Sequence, residues 1–176
     1  MTQYRRRYRP GASYFFTLCL ARPGARVLVD HADALRAAYA ATWLERPFTC
    51  DAFVVLPDHL HAVWTLPEGD DDFSTRWRLI KARFSRAVAA EAQRAEDGAI
   101  WQRRFWEHCL RDADDLDWHL RYCWSDPVRH GLVPRAEDWA LSSLQRDLRQ
   151  GIVRDTRPPT GPMRFTGEPR WLQRAA

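Results

Sequence analysis

The sequence predicts an α+β fold in which an antiparallel sheet is covered by helices on one face. Three observations predict this class. Short apolar and aromatic runs have the length of strands, longer amphipathic stretches lie between them, and the turn at Pro57 and Asp58 is too short to join parallel strands. The chain has 176 residues, 45% of them hydrophobic, which suits one compact domain with an ordinary core.

The predicted elements follow one another in a simple order. The first strand is the run YFFTLCL, which follows Pro10 and Gly11, and the first helix ends before Pro47. Strands and helices are predicted, in chain order, over residues 14–20, 30–45, 48–56, 59–66, 74–96, 101–110 and 112–125. We expect Pro127 to end the last of these helices, because proline lacks an N–H. The order β-α-β-β-α-β-α is that of a ferredoxin-like, or RRM-like, sandwich with one additional helix.

The C-terminal part of the chain differs in composition. A last short helix is predicted over residues 139–150. From Arg157 onward the sequence is rich in Pro and Gly, which favours an extended tail. We therefore expect one domain over residues 1–151 and a Pro- and Gly-rich tail over residues 152–176.

Charge and cysteine usage narrow the classes of function. The formal net charge is +4 and the isoelectric point about 9.1, a modest preference for polyanionic partners. Lys81 is the only lysine, so arginine carries the positive charge; phosphate binding and a GC-rich genome explain this bias equally well. The four cysteines form no Cys-x-x-Cys pair, which excludes zinc ribbons and thioredoxin-like sites. No apolar run resembles a signal sequence or a membrane span, so we expect a cytoplasmic protein without membrane contact.

The sharpest local feature is the triplet His59-Leu60-His61 in the third predicted strand. Residues two apart in a strand project from the same face, so both imidazoles point to one side of the sheet. Two neutral imidazoles side by side suit a divalent metal. A pair of surface histidines, each with its own hydrogen bond, explains the triplet as well, and the triplet alone does not separate the two.

Tyr122 and Asp126 form the second candidate element. They are four residues apart, so they share one face of the predicted helix if it extends that far. Asp126 precedes proline and is expected to be the frayed last residue of the helix. Its carboxylate would complete a His-His-Asp ligand set for Mg²⁺ or Mn²⁺, beside which Tyr122 would act as a nucleophile. A core tyrosine and a capping aspartate are the alternative.

A set of arginines and one glutamine could hold DNA. The N-terminal run YRRRYRPG mixes charge with stacking faces, and three arginines of the helix over residues 74–96 fall within about 80° of arc. The polar residues of the segment WQRRFWEH lie at the start of the predicted fourth strand, and a further arginine follows Pro127. A flexible arm, a solvated helix face and a helix cap are the corresponding alternatives. The candidates are Arg5, Arg6, Arg7, Arg9, Arg76, Arg83, Arg86, Gln102, Arg103, Arg104 and Arg129.

Three segments, VVLPDHLHAVW, IWQRRFWEHCLRD and LRYCWSDPVRHGLV, resemble in order and spacing the REP-associated tyrosine transposases. These are single-tyrosine relatives of the HUH (His-hydrophobe-His) transposases, and the resemblance covers residues 4–151. It implies that His59 and His61 bind a metal and that Tyr122 is the catalytic tyrosine. Where the family usually has Asn or Gln, this chain has Asp126, which keeps an oxygen ligand and adds a charge.

The resemblance also implies an activity. It implies metal-dependent cleavage and rejoining of single-stranded DNA at hairpins of repetitive extragenic palindromes, with Mg²⁺ or Mn²⁺ and a 5′-phosphotyrosine intermediate. The partners would be such hairpins, and the protein would be a nucleoid-associated monomer or homodimer. His119, one turn before Tyr122, is a candidate proton acceptor, although we expect it to face solvent. A non-catalytic nucleic-acid-binding module and a phosphohydrolase that uses water remain the competing hypotheses.

Overall fold

The computed structural model describes residues 8–91, 98–153 and 155–160. The strands are β1 (Ser13–Cys19), β2 (Thr49–Val55), β3 (His59–Thr65) and β4 (Trp106–Cys109). The helices are α1 (Val27–Asp30), α2 (Ala32–Glu45), α3 (Phe73–Glu91), α4 (Ala113–Arg129) and α5 (Leu144–Arg149), and a 3-10 turn spans Ala136–Asp138. None of the helices in these ranges is long and apolar enough to cross a membrane.

The four strands form one antiparallel sheet in the order β2-β3-β1-β4. Central strands β1 and β3 pair along their whole length, so that Thr17 lies opposite His61 and Cys19 lies opposite His59. The predicted α+β class with an antiparallel sheet is confirmed, and two helices, α1 and α2, lie between β1 and β2 where one was predicted. The sheet thereby places the beginning of β3, with both histidines, at its centre.

One face of the sheet carries a dense aromatic core beneath α2 and α3. From the sheet, Phe16, Leu60 and Trp64 are fully or almost fully buried on this side. Trp64 stacks on Trp77 of α3 with ring centroids 4.0 Å apart. This layer supplies most of the apolar area that leaves water on folding, and hence the main stabilising contribution.

The opposite face is covered by α4. Phe15, Val54 and Val63 of the sheet pack there against Trp118 and Cys123 of that helix. The expectation that the helices occupy one face is therefore right for α2 and α3 and wrong for α4. The helix follows the edge strand β4, and its own apolar stripe needs a partner surface, which the second face of the sheet provides.

Two element boundaries differ from the prediction. Helix α4 continues through Pro127 to Arg129, so Asp126 is not a frayed terminus but a fully buried helical residue. Pro127 removes a single N–H donor near the helix end, and the next turn is still closed by the bond from His130 N to the Asp126 carbonyl. The fourth strand is shorter than expected because only an isolated bridge, between Leu20 and Trp101, connects the earlier residues to the sheet.

The chain after α4 returns to the outer edge of β2. Val55 N donates to the Leu141 carbonyl at 2.9 Å, and Ser143 N donates to the Phe53 carbonyl at 2.7 Å. Helix α5 follows, shorter than the helix predicted over residues 139–150. Of the predicted tail over residues 152–176, Thr156 bonds to Glu137 at 2.8 Å. Residues 161–176 lie outside the described residues, so the domain boundary stays a prediction.

Candidate active site

Both histidines of the triplet lie on the α4 face and are almost completely buried, as the strand alternation predicts. Each imidazole is fixed through its Nδ1 atom. His59 Nδ1 lies 2.9 Å from Asp58 Oδ1, and His61 Nδ1 lies 2.9 Å from Thr17 Oγ1. These contacts orient the rings so that their Nε2 atoms face the same carboxylate on α4. Metal-binding histidines are commonly oriented in this way, by a hydrogen bond to the ring nitrogen that does not bind the metal.

That carboxylate belongs to Asp126. Its Oδ2 atom lies 3.4 Å from His59 Nε2 and 3.4 Å from His61 Nε2. Its Oδ1 atom accepts a hydrogen bond from Arg129 at 2.6 Å. The structure thus brings together the three predicted metal ligands, although the helix carrying Asp126 extends further than expected.

The protonation of this cluster follows from its geometry. Burial lowers the pKa of His59, but hydrogen bonds to Asp126 and Asp58 raise it more, to about 9. Burial raises the pKa of Asp126, but the two histidines lower it further, so that it lies well below its usual value. In the metal-free protein the carboxylate is therefore an anion paired with a protonated His59. Buried charges need such compensation, and a divalent cation placed between the same atoms would supply it instead.

The donor set fits a divalent metal. Two imidazole nitrogens and a carboxylate oxygen suit Mn²⁺, and both Nε2 atoms lie 3.4 Å from the same carboxylate oxygen. His130, four residues after Asp126, also lies here, with Nε2 3.6 Å from Asp126 Oδ1. His59, Asp126 and His130 form a group with metal-ligand spacing. The four-residue spacing of Asp126 and His130 could have indicated that they share a helix face. The expected helix end at Pro127 concealed this.

Tyr122 lies one turn before Asp126 on the same helix face, as the spacing predicts, and is 2% exposed. Its ring meets the His61 ring edge-on with centroids 5.3 Å apart and stacks on Trp118 at 5.2 Å. The Arg129 guanidinium lies over the Tyr122 ring, 4.5 Å from its centroid. A tyrosine, a cation and a His-His-Asp cluster therefore meet in one place, which is the arrangement needed to attack a metal-bound phosphate.

Arg76, one of the predicted DNA contacts, has another role. It is 1% exposed, and all five of its N–H groups bond inside the protein: two to Asp70, the others to the Arg46, Pro47 and Asp72 carbonyls. No donor remains for phosphate, so this prediction is wrong. The helical arc shared with Arg83 and Arg86 could not reveal the acidic loop before α3 that the guanidinium binds.

The other predicted DNA contacts are divided between surfaces. Arg83 bonds to Thr42 and Glu45, and Arg86 is exposed, both on α3 across the sheet from the histidines. Arg9, Arg103 and Arg104 are exposed, whereas Gln102 is half-buried. Arg129 alone of the set described by the structure contacts the Tyr122 site. Arg5, Arg6 and Arg7 lie outside the described residues.

His119 does not face solvent as expected. It is fully buried on the sheet-facing side of α4, next to Phe15 with ring centroids 4.7 Å apart. No local pattern predicts this orientation, because it depends on α4 covering the second face of the sheet.

Known proteins with similar sequences belong to the family that the three sequence segments resemble. No family model matches the chain. A REP-associated tyrosine transposase of Escherichia coli (strain K12) is 43% identical over 152 residues, covering 86% of this chain and 88% of that protein. A Haemophilus influenzae protein assigned to the same family is 40% identical over 159 residues, covering 86% and 90%.

A solved structure extends the likeness to the fold. The structure of a REP-associated tyrosine transposase bound to a REP hairpin matches this chain with a TM-score of 0.86 at 40% identity, covering 96% of this chain and 98% of that one. Identity at this level over most of both chains, with the same architecture, confirms the resemblance inferred from the three sequence segments. The chain belongs to the family of REP-associated tyrosine transposases.

Proposed function

We propose that the protein is a metal-dependent endonuclease and strand transferase that cuts single-stranded DNA beside a REP-like hairpin and forms a 5′-phosphotyrosine. The observation that carries this proposal is the convergence of His59, His61 and Asp126 next to Tyr122. Family membership supports the transposase class, and the hairpin bound by the solved relative supports the substrate.

His59, His61 and Asp126 would hold Mg²⁺ or Mn²⁺, with His130 as an additional neighbour. When bound, the metal acts as a Lewis acid that stabilises negative charge developing on the scissile phosphate. Asp58 and Thr17 keep both imidazoles in the orientation that presents Nε2. Asp126 brings a negative charge that favours cation binding, a difference from the Asn or Gln implied by the family resemblance.

Tyr122 would perform the attack. A phenol with a pKa of about 10 is a weak nucleophile at neutral pH, so it needs both a polarised phosphate and a nearby cation. Arg129 lies over the tyrosine ring and can pair with the phosphate as DNA enters. The Tyr122 oxygen forms a bond to phosphorus, the bond to the 3′-oxygen breaks, and that oxygen leaves as a 3′-hydroxyl. The covalent product conserves the phosphodiester energy, so another 3′-hydroxyl can rejoin the strand without ATP.

We propose that arginine supplies the contacts to the DNA backbone, since its planar fork suits phosphate. Arg129 contacts the strand at the cut. The exposed Arg9, Arg103 and Arg104, with Gln102, contact the hairpin outside the catalytic cluster. Arg5, Arg6 and Arg7 extend this set as candidates from the sequence alone.

The proposal is tested by trapping the covalent intermediate. A 3′-labelled single-stranded hairpin is incubated with protein and Mg²⁺ and analysed on a denaturing gel. The label should migrate with the wild-type protein, because the fragment downstream of the cut carries the phosphotyrosine bond. Tyr122→Phe should give no adduct while hairpin binding and thermal stability remain close to those of the wild type.

Tyr39→Phe is the matched control, because Tyr39 packs on the α2 face of the sheet, opposite the face that carries Tyr122. It should form the adduct as the wild type does. Equal adduct from Tyr122→Phe would refute the nucleophile. Cleavage without any adduct would favour a water-using hydrolase, and binding without cleavage would favour a non-catalytic module.

A further inference from the structure

A second cluster of titratable side chains lies between β4 and the first half of α4. His108 Nε2 lies 2.9 Å from Asp115 Oδ2, and His119 Nδ1 lies 3.4 Å from Asp115 Oδ1. Asp115 and His119 are fully buried, whereas the His108 side chain is 27% exposed. The proposed phosphate chemistry assigns no role to these three residues.

The cluster has the residue types of a metal site. Its hydrogen bonds instead favour a relay, meaning a hydrogen-bonded chain from His108 through Asp115 to His119. Asp115 Oδ2 already accepts from His108 and from both the backbone N and the Nε of Arg111, at 3.1 and 3.0 Å. The Arg111 cation beside it would repel a metal ion. Burial raises the pKa of Asp115, but Arg111 and His108 lower it more, so the carboxyl group remains an anion.

The relay fixes the tautomer of His119. Its Nδ1 atom lies 2.7 Å from the Asp115 carbonyl oxygen, which can only accept, so Nδ1 carries the hydrogen. In the neutral ring, Nε2 then carries the lone pair and is the basic atom. A histidine oriented by a carboxylate and a carbonyl in this way has the form of a general base.

His119 is also in the right part of the molecule. It lies three residues before Tyr122, on the same face of α4. Both rings pack against Phe15, at 4.7 and 5.9 Å, and against Trp118, at 5.0 and 5.2 Å. Tyr122 is therefore flanked by the metal ligand Asp126 one turn after it and by a basic imidazole one turn before it.

We propose that His119 accepts the phenolic proton of Tyr122 during strand cleavage, and that Asp115 and His108 are positioning residues that fix its tautomer and orientation. This inference rests on the proposed function and adds the proton acceptor to it. The O–H bond of Tyr122 breaks, its proton passes to His119 Nε2, and the phenolic oxygen bonds to phosphorus. The departing 3′-oxygen takes a proton from solvent water, and the imidazolium returns its proton to solvent afterwards.

The groups around His119 determine how this step depends on pH. Asp115 on α4 stabilises the imidazolium, as an aspartate does for the histidine of a catalytic triad. The His108 ring of β4 lies next to the His119 ring, with centroids 5.2 Å apart. Arg111 offsets part of the negative charge of Asp115. Strand β1 presents the apolar ring of Phe15, and Tyr122 follows on the helix.

The experiment is the pH dependence of adduct formation in a single turnover at saturating Mg²⁺, between about pH 5 and 9. His119→Asn retains an N–H that can bond to the Asp115 carbonyl but lacks a basic atom. We expect its rate to fall by about 10²-fold or more, with loss of the acidic limb that His119 contributes. Asp115→Asn should shift that limb to lower pH, because removal of the anion destabilises the imidazolium. His31→Asn is the control and should match the wild type, because His31 lies just before α2 and pairs with Glu91 of α3.

Chemical rescue distinguishes a base from a structural brace. Added imidazole should restore adduct formation to His119→Ala and leave the wild-type rate unchanged. A wild-type rate in His119→Asn, or a uniformly lowered rate with the wild-type pH profile and no rescue, would overturn the inference. A wild-type protein that forms no adduct would instead refute the proposed function, so the two failures are distinguishable.

Discussion

The two faces of the sheet have opposite chemistry although the same strands build both. On the α2 and α3 face, β3 contributes Leu60 and Trp64 to an aromatic core. On the α4 face the same strand contributes His59 and His61, and β1 contributes Thr17. Neighbouring positions of one strand thus have different roles: one stabilises the fold, and the next belongs to the site that we propose is catalytic.

The polar face requires partners for its buried side chains. Buried imidazoles and carboxylates cost free energy unless they are paired, and here Asp58, Thr17 and Arg129 pair with them. Leu60, which β3 presents to the other face, is apolar and needs no such partner. Substitutions at neighbouring positions of β3 should therefore separate activity from stability.

The largest effect is expected from His61→Ala. Loss of one of two imidazole ligands should abolish metal-dependent cleavage, whereas hairpin binding should remain largely intact because phosphate contacts dominate affinity. Cleavage is measured on a hairpin substrate across a Mg²⁺ titration, and binding by a shift assay at fixed salt. Undiminished cleavage by this variant would show that the face does not hold the catalytic metal.

Leu60→Ala tests the other side of the same strand. Removal of a fully buried leucine should lower the free energy of unfolding by about 2–5 kcal/mol. The remaining folded protein should still cleave at the wild-type rate per molecule. Urea denaturation gives the first quantity, and adduct yield below the unfolding transition gives the second. A selective loss of cleavage here would mean that the two faces are not functionally separate.

Asp126→Asn should have an intermediate effect on the polar face. The amide keeps a carbonyl oxygen but removes the negative charge, so some activity should persist with weaker cation binding. Cleavage rates titrated with Mg²⁺ and with Mn²⁺ should give curves that differ between variant and wild type. Superimposable curves would limit Asp126 to its contacts with Arg129 and the histidines.

The smallest effect is a pH dependence of stability in the presence of a chelator. The pKa of His59 is raised from 6.5 to about 9 in the folded protein, so its contribution is fully present below pH 6.5 and is lost as the pH rises through about 9. The lowered pKa of Asp126 has the opposite effect. It stabilises the folded protein at pH values above the ordinary aspartate pKa, and this contribution is lost on acidification. Urea unfolding at several pH values should show the alkaline decline, and His59→Gln should flatten it.

The polar side of β3 was predictable because it depends on a local rule. Residues two apart share a face, and the His59 and His61 side chains obey it. The spacing of Tyr122 and Asp126 is equally local, and it held because α4 continues through Pro127. The expected break does not occur: the preference of the residue before proline for extended backbone is a bias, and Asp126 is helical here.

What depends on distant partners was not predictable. Arg76 is indistinguishable from Arg83 on a helical wheel, and only the fold shows that Asp70 and three carbonyls surround its guanidinium. The burial of His119 depends on the direction that the chain takes after β4, which places α4 across the second face of the sheet. Periodicity fixes which residues share a side, but not what covers that side.

The return of the chain to β2 has a consequence for association between molecules. The outer edge of a sheet exposes unpaired N–H and C=O groups on which a foreign strand can add. Here Leu141 and Ser143 use those groups of Val55 and Phe53 at the β2 edge. Any strand added at this part of the β2 edge must first displace the protein's own segment, which protects the edge against pairing with a second molecule.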